Sequence, residues 1–145
     1  MITLYLLSGI PGSGKSTLSQ KLAKEKNAVI CSFDDLPGAG TKAVMDGSVT
    51  KLWLQNIHFN LEQGNAVIGD NLNLTKDSRK KVLDFISDID CKKILYIKSV
   101  PLETCLARNS SRKNRLPDFV LKQASKMYEE PSLDEGWDEI LIDNN

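Results

Sequence analysis

The sequence predicts an α/β protein of three layers, with a five-stranded parallel sheet covered by helices on both faces. Three observations predict it. Five short apolar stretches alternate with longer helical patterns. The first stretch runs directly into the glycine-rich sequence GIPGSGKST (9–17) and then into a helix. Acidic residues close the second and third stretches, so the chemistry-bearing side chains fall at strand ends, on the rim where parallel sheets gather their ligands.

Ile2–Leu7 (ITLYLL) is apolar and strand-like, and Thr17–Lys26 follows the glycine loop as a helix. Ala28–Ser32 (AVICS) reads as the second strand and ends in Phe33-Asp34-Asp35. Residues 36–48 hold Pro37, Gly38, Gly40 and Gly47, which predicts a mobile or irregular segment. Thr50–Gln63 is the next helix: Trp53, Ile57 and Leu61 recur at four-residue spacing as a core stripe, and Gly64 stops it. Asn65–Gly69 is the third strand and ends in Asp70-Asn71. Thr75 suits the cap of a helix over 76–89, with Val82, Leu83, Ile86 and Ile89 buried. Lys93–Ser99 is the fourth strand, and Pro101 opens a helix that turns Leu102, Cys105 and Leu106 inward. After the basic stretch RNSSRKNR (108–115), Pro117–Glu130 is helical with Val120, Ala124 and Met127 on one face, and Glu139–Ile142 is the last strand.

Composition narrows the function classes. At 145 residues the chain is expected to form one domain over 1–145. Lys and Arg total 19, Asp and Glu 19, and a net charge of zero argues against coating a long duplex, though not against gripping one strand end. Cys31, Cys91 and Cys105 are odd in number and far apart, which fits free thiols in a reducing cytoplasm and neither a disulfide framework nor a zinc site. No secretory leader is legible, and no apolar run approaches the ~20 residues that span a membrane. A cytoplasmic protein with no membrane partner is expected.

Gly9, four residues, Gly14, Lys15, Ser16 is the phosphate-binding loop pattern, set between a strand and a helix as its chemistry requires. Glycines turn the backbone so that its N–H groups point inward, and with the helix N-terminus they cradle phosphate oxygens. The expected contacts are the loop Gly12-Ser13-Gly14, with Lys15 on the β- and γ-phosphates of ATP and the Ser16 hydroxyl on Mg²⁺. Transfer of the γ-phosphoryl group to an alcohol also needs a carboxylate to take the hydroxyl proton, and Asp34 or Asp35 can serve. Asp70 closes strand three, where it can order magnesium water or brace a catalytic arginine, or simply serve its turn. Residues 108–116, with Arg108, Arg112, Lys113 and Arg115, read as a lid that excludes water and brings an arginine to the transition state. His58 beside Ile57 reads as structural. Lys76, Arg79, Lys80 and Lys81 read as a solvated helix face rather than a nucleic-acid contact.

These motifs together resemble the kinase domain of polynucleotide 5′-hydroxyl kinases of phage and eukaryotic end repair. The likeness rests on GIPGSGKST, on Phe33-Asp34-Asp35, on IGDNLNLTKDSRKKV (68–82), on VPLETCLARNSSR (100–112) and on PSLDEGWDEI (131–140). The resemblance implies a P-loop kinase fold with a short basic lid, ATP and Mg²⁺ as cofactors, and a nucleic-acid end as acceptor. It implies that Lys15, Ser16 and Thr17 bind ATP and magnesium, that Asp34 is the general base, that Asp70 braces the site and that Arg112 stabilises the transferring phosphoryl group. Arg108 and Arg115 are further nucleotide contacts on the lid. The chain departs from the family at Pro37, where an arginine usually holds the acceptor's 3′-phosphate, and no basic residue follows until Lys42. The family's phosphatase and ligase domains are not expected, because the chain after Asp70 is just long enough to finish the sheet. Two other readings stay open: a related kinase acting on a hydroxymethylated base in DNA or on a small metabolite, and a nucleotide-binding ATPase or switch.

Overall fold

A computed structural model describes residues 2–145. Its sheet contains β1 (Thr3–Ser8), β2 (Ala28–Ser32), β3 (Ala66–Asp70), β4 (Lys92–Lys98) and β5 (Glu139–Asp143) in the order β2-β3-β1-β4-β5. Every pairing is parallel, as the alternating pattern predicts. The helices are α1 (Lys15–Lys26), α2 (Ser48–Glu62), α3 (Lys76–Phe85), α4 (Leu102–Ser110) and α5 (Asp118–Met127).

The alternation of side chains along the central strand builds the layers. Leu4 and Leu6 of β1 point into a core with Trp53, Ile57 and Leu61 of α2 and Val82 of α3. Tyr5 and Leu7 point the other way, into a core with Leu18 and Leu22 of α1. Trp53 is core, as its spacing predicts: it is 2% exposed, and its indole N–H donates to the Cys31 carbonyl at 2.9 Å. Gly69 of β3 makes room for this, since a Cβ there would stand 2.9 Å from Leu6 Cδ1 and 3.4 Å from Trp53 Cζ2.

Three local differences from the sequence pattern have physical reasons. Helix α1 starts at Lys15 rather than Thr17, because Gly14 takes the left-handed N-cap position. Helix α3 stops at Phe85, short of 89: Ser87-Asp88 are poor helix formers, and a turn bond from the Ile89 amide to the Ile86 carbonyl still turns both apolar residues inward. Residues 36–47 are turns around a short 3-10 helix, Lys42–Asp46, and α2 already starts at Ser48 rather than Thr50. Further 3-10 turns at Phe33–Asp35 and Leu133–Glu135 are too short for periodicity to register.

Because all strands run the same way, their carboxyl ends share one rim. Register sets Ser32 opposite Asp70, Asp70 opposite Leu7, and Lys98 opposite Asp143. Among the described residues no helix is long and apolar enough to cross a membrane.

Candidate active site

The loop from β1 to α1 is shaped by two glycines. Gly12 and Gly14 have φ of +84° and +99°, backbone that L side chains rarely adopt. At Gly12 a Cβ would stand 2.8 Å from the Cys105 carbonyl oxygen, so the loop is pressed against α4. Gly14 caps α1 without any side-chain hydrogen bond, and the first turn holds no acidic residue. The positive end of the helix is therefore left to an external anion. Ser13 is buried behind the loop, and its hydroxyl has no hydrogen-bond partner among the described residues.

Lys15, Ser16, Asp34, Asp70, Arg108 and Arg112 line one cavity of about 870 Å³, within the range of small-molecule sites. Gly12, Gly14 and Asp35 line it too, so residues far apart in sequence meet on the rim as predicted. Asp34 and Asp35 are exposed on their 3-10 turn, and Asp70 is half-buried. Lys15 Nζ donates to the Ile10 carbonyl at 3.2 Å. Burial pushes the Lys15 ammonium below its usual range, against the pull of Asp70 and Asp34. Burial likewise pushes the Asp70 carboxyl up, opposed by Lys15 and reinforced by Asp34 and Asp35. The site thus carries separated charges of both signs that the protein itself leaves under-compensated. Within such a cavity a carboxylate can accept a hydroxyl proton while cations hold phosphates.

The basic stretch is half helix and half turn. Helix α4 continues through Arg108 to Ser110, and the turn to α5 starts beyond it. Arg108 Nη1 donates to the Ser13 carbonyl at 3.2 Å and the Gly12 carbonyl at 3.4 Å, which ties the end of α4 to the glycine loop. Buried Asn109 closes the base of the turn: its Nδ2 donates to the Leu116 carbonyl at 2.7 Å, and its Oδ1 accepts the Leu116 amide at 3.0 Å. Arg112 is exposed within that turn and reaches the cavity. Arg115 lies 3.7 Å from Asp118 and is not among the cavity-lining residues. Thr17 is exposed and outside that lining as well.

One expectation on α3 is corrected. Lys76, Lys80 and Lys81 are exposed, but Arg79 is 0% exposed. Its Nε and Nη2 donate to Glu135 at 2.9 and 3.2 Å, Nη1 to the Asn73 and Leu74 carbonyls, and Nη2 also to the Glu129 carbonyl. Trp137 Nε1 donates to the same Glu135. The stretch PSLDEGWDEI thus folds as a structural clasp on α3. Asn73 links that clasp to the site: its Nδ2 donates to the Leu7 carbonyl at 2.7 Å, and its carbonyl accepts the Ser8 hydroxyl at 2.9 Å. With the Gly9 amide on the Leu72 carbonyl at 3.0 Å, the loop after Asp70 is fixed to the start of the glycine loop. His58 is half-buried, paired with Asp88 at 2.9 Å and edge-on to Phe85, outside the cavity lining.

The sequence matches the family described as an AAA domain over residues 4–131. The chain belongs to that family. This AAA-domain chain is 26% identical to the L-seryl-tRNA(Sec) kinase of Methanococcus maripaludis, over 97% of its own length and 58% of that protein. It is also 26% identical to the protein Kti12 of Schizosaccharomyces pombe, over 96% of its length and 56% of the relative. The AAA-domain chain therefore spans a little over half the length of the curated relatives it matches. Its fold is that of Chaetomium thermophilum Kti12 in complex with ADP-AlF3, at TM-score 0.74 and 16% identity over 97% of this chain and 88% of that one. It is also that of a fungal RNA kinase, at TM-score 0.72 and 15% identity over 97% of this chain and 38% of that one. The AAA-domain chain thus has the P-loop kinase fold.

Proposed function

We propose that this chain transfers the γ-phosphoryl group of ATP to an alcohol, with the 5′-hydroxyl of a polynucleotide as the acceptor its motifs best fit. The observation that carries the reading is the meeting of Lys15, Asp34, Asp70 and Arg112 in one cavity beside the glycine loop. Asp34 takes the proton of the acceptor hydroxyl as that oxygen attacks the γ-phosphorus. The bond from the γ-phosphorus to the β–γ bridging oxygen breaks, and ADP carries the electron pair away. Lys15 and Arg112 balance the charge that gathers on the transferring group. Asp70 holds Lys15 between phosphates and rim. Arg108, already on the loop carbonyls, borders the nucleotide, with Thr17 and Arg115 as outer contacts.

The donor set fits Mg²⁺. Among the described residues no group of three carboxylate, imidazole or thiol side chains could hold a metal alone. A serine hydroxyl and carboxylates lining one cavity suit an ion that keeps waters and shares the substrate phosphates. Ser16 would hold it and Asp70 would order its water. When bound, it supplies charge neutralisation to the phosphates.

A second reading draws on the acceptor side. The cations on the cavity wall are Lys15, Arg108 and Arg112, all next to the glycine loop, and Pro37 offers no charge for an acceptor phosphate. That favours an uncharged neighbourhood around the hydroxyl: a hydroxymethylated base, a small metabolite or, as the name of the methanococcal relative suggests, a seryl group on RNA. Labelled γ-phosphate offered to a 5′-hydroxyl oligonucleotide, to its 5′-phosphorylated form and to a 5′-phosphorylated strand with hydroxymethylated bases separates a strand end from a base, and no label on any strand moves the acceptor to a metabolite or a seryl group. Label on the first alone is the expected result. Label on the third but not the second moves the acceptor to a base. Hydrolysis without transfer, insensitive to Asp34→Asn, would make the chain an ATPase or switch.

A further inference from the structure

Lys98 closes β4 beneath the glycine loop and has no role in the transfer chemistry described above. Its side chain is 5% exposed. By strand alternation it follows Ile94 and Tyr96 on the α1 face of the sheet. An ammonium carries three donors, and among the described residues this one has a single hydrogen-bond partner, Asp143 Oδ1 at 3.2 Å. That oxygen is shared, because it also accepts the Asn145 amide at 2.9 Å. The side chain lies against the N-cap of α1: a Cβ added at Gly14 would stand 3.3 Å from Lys98 Cε, 3.6 Å from Lys98 Nζ and 3.5 Å from Arg108 Nη1. Two cations therefore converge on Gly14, one from below the loop and one from the lid. The N-terminus of a helix is itself positive, so the placement is unfavourable until an anion arrives. A buried ammonium with two uncommitted donors adds to that cost. A phosphate chain seated on the same N-terminus offsets both.

We infer that Lys98, which lies behind Gly14 rather than on the cavity lining, acts on the nucleotide from beneath the glycine loop, a cation that strengthens the hold on nucleoside di- and triphosphates, with Asp143 as the counter-charge that competes for it. The inference rests on the nucleotide site and holds whichever hydroxyl accepts the phosphoryl group.

Calorimetric titration with MgADP, MgATP and adenosine tests it. A charge-assisted hydrogen bond corresponds to about 10- to 100-fold in affinity. Lys98→Met should weaken MgADP and MgATP by that factor and leave adenosine unchanged, and Lys98→Arg should restore most of the loss. Asp143→Asn should bind MgADP as tightly as the wild type or more tightly. Unchanged MgADP binding by Lys98→Met overturns the inference. So does an equal loss for adenosine, which marks a packing role. So does a loss in Asp143→Asn as large as in Lys98→Met, which makes the pair a strut. Should Lys98→Met fail to fold, Lys98→Gln takes its place in each comparison, and the same outcomes decide. A wild type that binds no MgADP would overturn the nucleotide reading together with this one, whereas wild-type binding with an unaffected Lys98→Met overturns this one alone.

Discussion

Lys15 and Arg79 are both withdrawn from water, yet their surroundings differ in almost every respect. Arg79 has all five guanidinium N–H groups engaged, by Glu135 and by the Asn73, Leu74 and Glu129 carbonyls. Lys15 donates one bond, to Ile10, and burial holds its ammonium below the usual range despite two nearby carboxylates. The two helices repeat the contrast. Helix α3 is capped by Thr75 and Ser78 in a reciprocal box, whereas α1 begins at a bare glycine. A group the protein satisfies completely serves the fold. A group it leaves wanting is kept for a ligand.

The contrast is tested hardest at Lys15 itself. Lys15→Met should cut phosphoryl transfer by roughly 10²–10³ or more in single-turnover assays, the scale of losing a preorganised charge at the transferring group. Its melting temperature should hold or rise, since a buried charge with poor compensation has been removed. A marked drop in melting temperature would place Lys15 with Arg79 as a structural cation. Asp34→Asn should lower turnover by about 10²–10⁴ while ATP affinity stays put. If Asp35→Asn is dead and Asp34→Asn nearly active, the base is the other member of the pair.

The mirror experiment is Arg79→Met. Breaking a buried pair by removing one partner costs about 3–5 kcal/mol, so denaturant unfolding should shift strongly. Turnover of the fraction that stays folded should change little, because the clasp touches no substrate. A stable Arg79→Met protein without transfer activity would place the clasp in the chemistry instead.

The fold and the glycine loop were legible because their signals are local. Strand alternation, the Trp53 stripe and the Gly9–Ser16 spacing each lie within a few residues. Arg79 was misread because its neighbours Lys76, Lys80 and Lys81 make a plain basic run, and its partner Glu135 arrives only through tertiary packing. A signal was present all the same: Arg79 precedes Val82 and Ile86 on the buried face of α3, where an unpaired charge would be untenable. Lys98 could likewise have been found from Ile94 and Tyr96, which put it on the face that carries α1. The basic turn after α4 was legible in composition but not in extent, since the buried Asn109 that sets its base reads in sequence as one more polar residue.

The smallest effect separates the two regions by pH. Burial pushes the Glu135 carboxyl up, but hydrogen bonds from Arg79 and Trp137 outweigh it and hold the group below its usual 4.5. Glu135 therefore adds stability that is present above about 4.5 and lost as pH falls through its lower folded value. Asp70 has the opposite sign. Its folded carboxyl sits above 3.8, mainly through burial, so the folded state binds the proton more readily than the unfolded chain. Its cost is present at neutral pH and is relieved as pH falls through the raised folded value toward 3.8. Asp70→Asn should thus melt slightly above the wild type at pH 7, with the two curves closing on each other in acid. Glu135→Gln should melt below the wild type at pH 7 and converge with it only at lower pH. A neutral-pH loss in Asp70→Asn would mean that Asp70 is satisfied within the protein like Glu135, and the distinction between a charge kept for the fold and one kept for a ligand would fail at its most exposed point.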